Sequence, residues 1–282
     1  MPFPVDDMRT VTDEFTAFME DPDADKPNPI HSTETAREHG FRGALVGGAT
    51  AFGWTARTIV AALGARWLDN GWVHLKFVNP IYPEDALRFE VEHNNDDIWS
   101  LGVKRDKDVC IVGELGLGRA PWFDLLSEPQ FHRGVPAADA LPVLTLDNAP
   151  VGGQFQPMAV PLSIAAAQTF ARDRERETLE VLTGDRPRVH PAWVAEQLIH
   201  MLHHSYDYGP SIHAQSHIQH LQPAFAGQTF SITADCREVY ERKGHHYIVN
   251  DGAIWSERGD ELVRLRHTSV FRIAKLTTSS GV

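Results

Sequence analysis

The chain has 282 residues, with 38 Asp and Glu against 26 Lys and Arg and a net charge of −12 at neutral pH. That length suits one large domain or two ordinary ones, and either can bury a sizeable core. The charge is spread along the chain, with no clustered Lys and Arg of the kind that nucleic acid requires, so nucleic acid is excluded as the main partner.

In chain order, the opening MPFPVDDMRTVTDEF is acidic and lacks the basic and apolar regions of a secretory signal. Residues 8–20 read as a short amphipathic helix with Val11, Phe15 and Phe18 on one side. A proline-rich turn, DPDADKPNP, follows, and Ser32 is placed to cap a brief helix running to His39. The glycine pair Gly47-Gly48 then opens a long apolar helix ending near Asp69-Asn70-Gly71. A helix that apolar must be wrapped by other elements, yet its longest uncharged run, Gly43–Ala56, is shorter than the roughly 18 residues of a membrane span. From Trp72 the period changes to two, giving strands over 72–78, 86–93, 98–104 and 109–118. Cys110, in the last of these, is far from Cys236, so neither a disulfide framework nor a zinc spacing is indicated and a reducing cytoplasm is the expected location.

Residues 121–160 carry six prolines (121, 129, 136, 142, 150 and 157) and no sustained period, and read as a linker. A polar helix from Ser163 to about Leu182 follows, then Arg188-Val-His-Pro191 and an apolar helix over 192–206. Four more strands are predicted over 212–221, 228–239, 245–255 and 261–273. The order polar helix, loop, apolar helix, four strands thus occurs twice. Pro80 follows Gly47 by 33 positions, and Pro223 follows His190 by the same 33. The reading is an α+β chain of two duplicated units, residues 1–120 and 161–282, joined by 121–160, each a curved antiparallel sheet wrapped around a helix.

Asn28-Pro-Ile-His31, the Ala-containing short helix, Gly40-Phe-Arg-Gly43 and the glycine turn into the apolar helix resemble the MaoC-like (R)-specific enoyl-CoA hydratases and acyl dehydratases. The segment 77–85, FVNPIYPED, is similar to the F-x-x-P-x-x-x-G-D stretch that follows the helix in that family. The resemblance covers residues 8–118 and extends to 160–275 as an altered second copy, implying a double hot-dog fold. It further implies an acyl-CoA or carrier-bound thioester as substrate and no cofactor. Family sheets often join edge to edge; two halves in one chain would already satisfy that, and homodimerisation is left open.

Hydrating an enoyl thioester requires proton transfer to and from water and the α-carbon, and a donor for the charge that develops on the thioester oxygen. The resemblance assigns the proton work to His31 and an acidic partner, with Asn28 from the same motif. The family's acid stands five residues before the histidine, and that position here is Lys26; Asp25 is one residue further away, and Asp23 is the alternative. Gly48, with Gly47, stands where the family offers a backbone N–H at a helix start, a place that favours an anion. In the second copy Pro191 faces Gly48 and has no N–H to give. His190 there reads as a helix cap that could still be functional, and Trp193 as core or as a wall of the acyl pocket.

Two other function classes share these residues: a thioesterase, in which water attacks the carbonyl, and a non-catalytic acyl-binding scaffold. The histidines carry no metal pattern, for no carboxylate completes a ligand set with His200, His203 and His204, which lie on one helix. His213 and His217 are expected to share one strand face.

Overall fold

Strand pairing organises the molecule. The computed structural model describes residues 10–19, 28–95 and 97–274. Ten strands form one antiparallel sheet: β1 (Thr10–Thr16), β2 (Gly71–Phe77), β3 (Ala86–Asn95), β4 (Ile98–Arg105), β5 (Asp108–Leu117), β6 (Met158–Leu162), β7 (Ile212–His220), β8 (Gln228–Arg242), β9 (His245–Trp255) and β10 (Glu261–Arg272). Their order across the sheet is β1-β3-β4-β5-β2-β7-β10-β9-β8-β6. Read from each outer edge inward, the first five strands and the last five follow the same sequence of connections, so the duplicated order seen in the residues is present in the topology. The two curved sheets are therefore continuous. They join where β2 pairs antiparallel with β7, with Val73 opposite Ile218 and His74 opposite His217.

The helices pack on the inner face. They are α1 (Thr33–Glu38), α2 (Gly48–Gly53), α3 (Ala56–Leu63), α4 (Trp67–Asn70), α5 (Ile164–Thr169), α6 (Glu180–Thr183) and α7 (Pro191–Ser205). Ser32 caps α1 as its residue type predicts, its hydroxyl accepting from the Thr35 N–H. Phe52, Ile59, Trp67, Leu198 and Phe230 are fully buried in one apolar core that spans both halves. Burying each such side chain contributes about 1.5–3 kcal/mol relative to leaving it in water.

Several elements differ from the sequence expectation. Residues 10–16 form a strand, not a helix, pairing with β3 with Val11 opposite Val91 and Phe15 opposite Leu87. The long first helix is broken after Gly53, because the Thr55 hydroxyl and N–H both turn back to the Phe52 carbonyl, at 2.6 and 2.9 Å. The polar helix expected over 163–182 is likewise in pieces, α5 running into a wider turn over Phe170–Arg174 before α6. The proline-rich segment 121–160 is largely irregular but delivers β6, which pairs with β8 at the far edge of the sheet.

The broken α2 lies against the start of the continuous α7. A Cβ on Gly53 would stand 2.5 Å from the Ala192 Cβ, so glycine is what allows the two helices to touch. Arg188, just ahead of α7, reaches back to Asp69 of α4 at 2.6 and 3.1 Å and ties the halves at a second point.

Candidate active site

The Asn28–His31 motif forms a single 3-10 turn, with proline at its start and Ile30 buried beneath it. Leu45 N–H bonds the Ile30 carbonyl at 3.4 Å, and the Leu45 carbonyl accepts from His31 Nδ1 at 2.6 Å. A carbonyl oxygen can only accept, so Nδ1 carries the proton and Nε2 of the neutral ring carries the lone pair. The ring edge lies at the glycine pair: a Cβ built on Gly47 would be 3.6 Å from His31 Cε1 and 3.9 Å from Nε2. Sequence separation had hidden how close these two features are.

Asn28 does more than turn the chain. Its Oδ1 accepts from the Ser211 N–H and its Nδ2 donates to the Ser211 carbonyl, both at 3.0 Å. The same Nδ2 lies 3.4 Å from His31 Nε2. Ser211 belongs to the second half, immediately before β7, so one side chain links that half to the histidine. The two glycines sit at the start of α2, whose first bond runs from Ala51 N–H to the Gly47 carbonyl at 2.9 Å. The N–H groups of Gly48, Ala49 and Thr50 therefore have no acceptor within the helix.

Beside this turn, Val46 N–H bonds the Ile81 carbonyl at 2.9 Å, placing the loop 78–85 along the entry to α2. Asp85 holds that loop. Buried, it accepts from the Tyr82 N–H at 2.9 Å and from Arg105 at 3.0 Å, and it is paired with Arg42. In the sequence Asp85 stands at the final acid of the F-x-x-P-x-x-x-G-D stretch, with no role assigned to it.

Asp25 and Asp23, the acids expected to partner His31, and Lys26 lie outside the described residues. The site also holds a residue that sequence reasoning had paired wrongly. His213 and His217 do not share a face. In the β7–β10 ladder Ser269 opposes His213 while Thr268 opposes Gln215, leaving Ala214 as an extra residue in a bulge. His213 thereby turns inward, against Gly48 and Phe77, whereas His217 stacks on His74 at 4.0 Å on the other face. Burial, with His267 nearby, holds the pKa of His213 well below the ordinary imidazole range.

The second helix start is differently made. His190 is buried, and its Nδ1 accepts from the Ala192 N–H at 3.2 Å, so it caps α7. Its Nε2 faces Glu177 Oε2 at 3.9 Å. Burial lowers the pKa of His190, with Glu177 opposing the shift. Burial alone would raise Glu177. His190 and the Thr178 and Leu179 N–H groups, which donate to Glu177 at 2.6 and 2.8 Å, outweigh it and hold the carboxyl below its usual range. Glu175 lies beside them without a hydrogen-bond partner among the described residues, and burial pushes its pKa up to about 8 against the pull of Arg174. Trp193 is buried against Phe230, ring centroids 5.1 Å apart, as a core residue. Among the described residues no cluster of three or more His, Cys, Asp or Glu is arranged to hold a metal ion.

Comparison with known proteins bears on the half that contains the His31 turn. Residues 24–111 match the model of the MaoC like domain. That segment is a MaoC-like domain. Solved structures resemble the whole chain. A Chloroflexus aurantiacus protein assigned as a MaoC domain dehydratase is 14% identical over 94% of this chain and 95% of its own, with a TM-score of 0.61. A conserved Mycobacterium tuberculosis protein described as having a double hotdog fold is 11% identical over 87% of this chain and 88% of its own, TM-score 0.60. A Lactobacillus plantarum protein assigned as an oleoyl thioesterase is 9% identical over 93% and 96%, TM-score 0.51. The curated proteins give no match. At such identities the likeness is one of fold, a double hot-dog. No helix among the described residues is long and apolar enough to cross a membrane.

Proposed function

We propose that the chain is a hydro-lyase acting on an enoyl or 3-hydroxyacyl thioester, with acyl-CoA as the carrier. The observation that supports this reading most is the His31 tautomer. The Leu45 carbonyl accepts a hydrogen bond from Nδ1–H, which leaves the lone pair of the neutral ring on Nε2 at the glycine pair. In the hydration direction, His31 Nε2 takes a proton from water and the hydroxyl adds to C3. The electron pair of the double bond moves toward the thioester oxygen, where the Gly48 N–H stabilises it, and a protonated Asp25 supplies the α-carbon with its proton. Dehydration runs the same steps in reverse. Asn28 orients the imidazole from its clamp on Ser211. Residues 1–120 are the catalytic unit in this reading, and 161–282 the altered copy that completes the site.

The test is a panel of trans-2-enoyl-CoA and 3-hydroxyacyl-CoA esters of increasing chain length, followed by loss or gain of the conjugated double bond. The parent turns over at least one ester, and His31→Ala lowers kcat by about 100-fold or more. Release of free CoA thiol without hydration would instead make the chain a thioesterase. Binding of esters with neither reaction would make it an acyl-binding scaffold.

A further inference from the structure

The glycine pair has a second imidazole beside it. His213 is 8% exposed, and a Cβ on Gly48 would stand 3.0 Å from its Cβ and 3.1 Å from its Nδ1. His31 thus lies against Gly47 from the first half, and His213 lies against Gly48 from the second. The Asn28 clamp on Ser211, two residues before His213, holds the two rings in one assembly.

Each ring nitrogen of His213 has a distinct setting. Nε2 is 2.7 Å from Ser216 Oγ, which in turn lies 3.4 Å from His267 Nδ1. His267 and Phe77 pack on the ring, with centroids 4.1 and 4.3 Å away. Nδ1 is closed to bulk water and has no hydrogen-bond partner among the described residues. An unpartnered buried nitrogen is costly, and leucine would fill the same space without that cost. What sets this nitrogen apart is its place at the glycine pair, where an acceptor on a bound ligand would supply the partner it lacks.

We propose that His213 is a further catalytic residue, its Nδ1–H sharing the thioester carbonyl oxygen with the Gly48 N–H. This rests on the hydro-lyase reading. The proposal takes one sense of the relay, in which His267 Nδ1–H donates to Ser216 Oγ, the Ser216 hydroxyl donates to His213 Nε2, and His213 Nδ1 keeps its proton. Because the ring stays neutral, it donates to the developing oxyanion without itself taking up a proton, as an electrophilic imidazole does. Two donors in place of one make a fuller oxyanion site, and the second donor comes from the unit that carries no NPIH motif of its own.

The experiment compares the parent with His213→Leu, which fills the volume without a donor, and His213→Asn, which returns an amide N–H near the Nδ1 position. Hydration kinetics and thermal melting are measured for each. His213→Leu folds and loses about 30- to 100-fold in kcat with KM changed little, and His213→Asn recovers most of that loss. Parental kcat in His213→Leu, or a His213→Asn variant as impaired as a folded His213→Leu, overturns the proposal while leaving the reaction assignment intact. A parent that hydrates no ester overturns both. Should His213→Leu not fold, imidazole nitrogen NMR on the parent decides. Saturated acyl-CoA shifts the Nδ1 resonance of His213, and no shift overturns the proposal.

Discussion

The two helix starts, Gly47-Gly48 and His190-Pro191, occupy corresponding places in the two halves and are built to opposite ends. At the second, every device serves the protein itself. Pro191 has no N–H, the Ala192 N–H is taken by the His190 ring, and a continuous 15-residue helix follows. At the first, two glycines replace the cap, the helix breaks after six residues, and imidazoles approach from both halves. The proposed function places stability and reactivity in different copies of one unit. In the proposed reading the second copy, whose helix start offers no N–H at Pro191, supports the first and lends it His213.

Exchanging the roles of the two histidines is the sharpest way to break this comparison. His31→Ala removes about 100-fold or more from kcat and leaves the melting temperature near the parental value. His190→Ala does the reverse, costing on the order of 1–2 kcal/mol of stability through the lost cap while kcat stays within about threefold of the parent. Equal effects on activity from both changes would show that the halves are not divided as described.

Next in size is the contact between the two helices. Gly53→Ala places a methyl 2.5 Å from the Ala192 Cβ, with His190 Cε1 and Glu175 Oε2 at 3.1 and 3.2 Å, so a methyl cannot enter without shifting the helices apart. Overpacking of this kind costs about 1–3 kcal/mol, read as a lower melting temperature.

A third test concerns pH. Glu175 titrates at about 8 in the folded chain against 4.5 as its ordinary value. Between these values the folded state holds a proton that the unfolded state has lost, so stability falls as pH rises from about 4.5 to about 8 and is level above that. His220 and His267 work in the other direction. Burial lowers them to about 4 and about 3 from 6.5, so the unfolded chain binds more protons below pH 6.5 and stability falls as the solution becomes more acidic. Glu175→Gln removes the alkaline decline and leaves the acid one, which melting curves across pH 4–9 separate. Unchanged curves would mean that Glu175 is already ionised.

Much of the fold was legible because its signals are local. Period-two runs bounded by turn residues marked the strands from β2 to β5 and from β7 to β10, and Ser32 and the glycine pair marked helix starts. β1 was misread because Val11 and Phe15 are four residues apart, a spacing that suits both a helix face and a strand face. The break at Thr55 was missed because any threonine can back-bond to a carbonyl, and nothing in the surrounding residues says which one does.

Candidate site residues divide along the same line. His31, Asn28 and Gly48 belong to short motifs and could be named. His213 could not, because an unpaired residue at Ala214 reverses the alternation on which strand-face assignment depends. Asn28's grip on Ser211 joins positions 183 apart in the chain, and no local pattern records such a contact. Asp85 falls in the family-like segment 77–85, but its partners Arg42 and Arg105 are distant in the chain, so its anchoring of the loop beside α2 could not be read locally.

The seam between β2 and β7 has a consequence for how such a molecule can change. In a pair of identical subunits, any substitution at a helix start appears in both active centres at once, and a proline there would silence the whole assembly. Covalent union of two copies ends that symmetry. A proline can settle in one copy while its sibling keeps the donor, and each copy can then be selected for a separate duty.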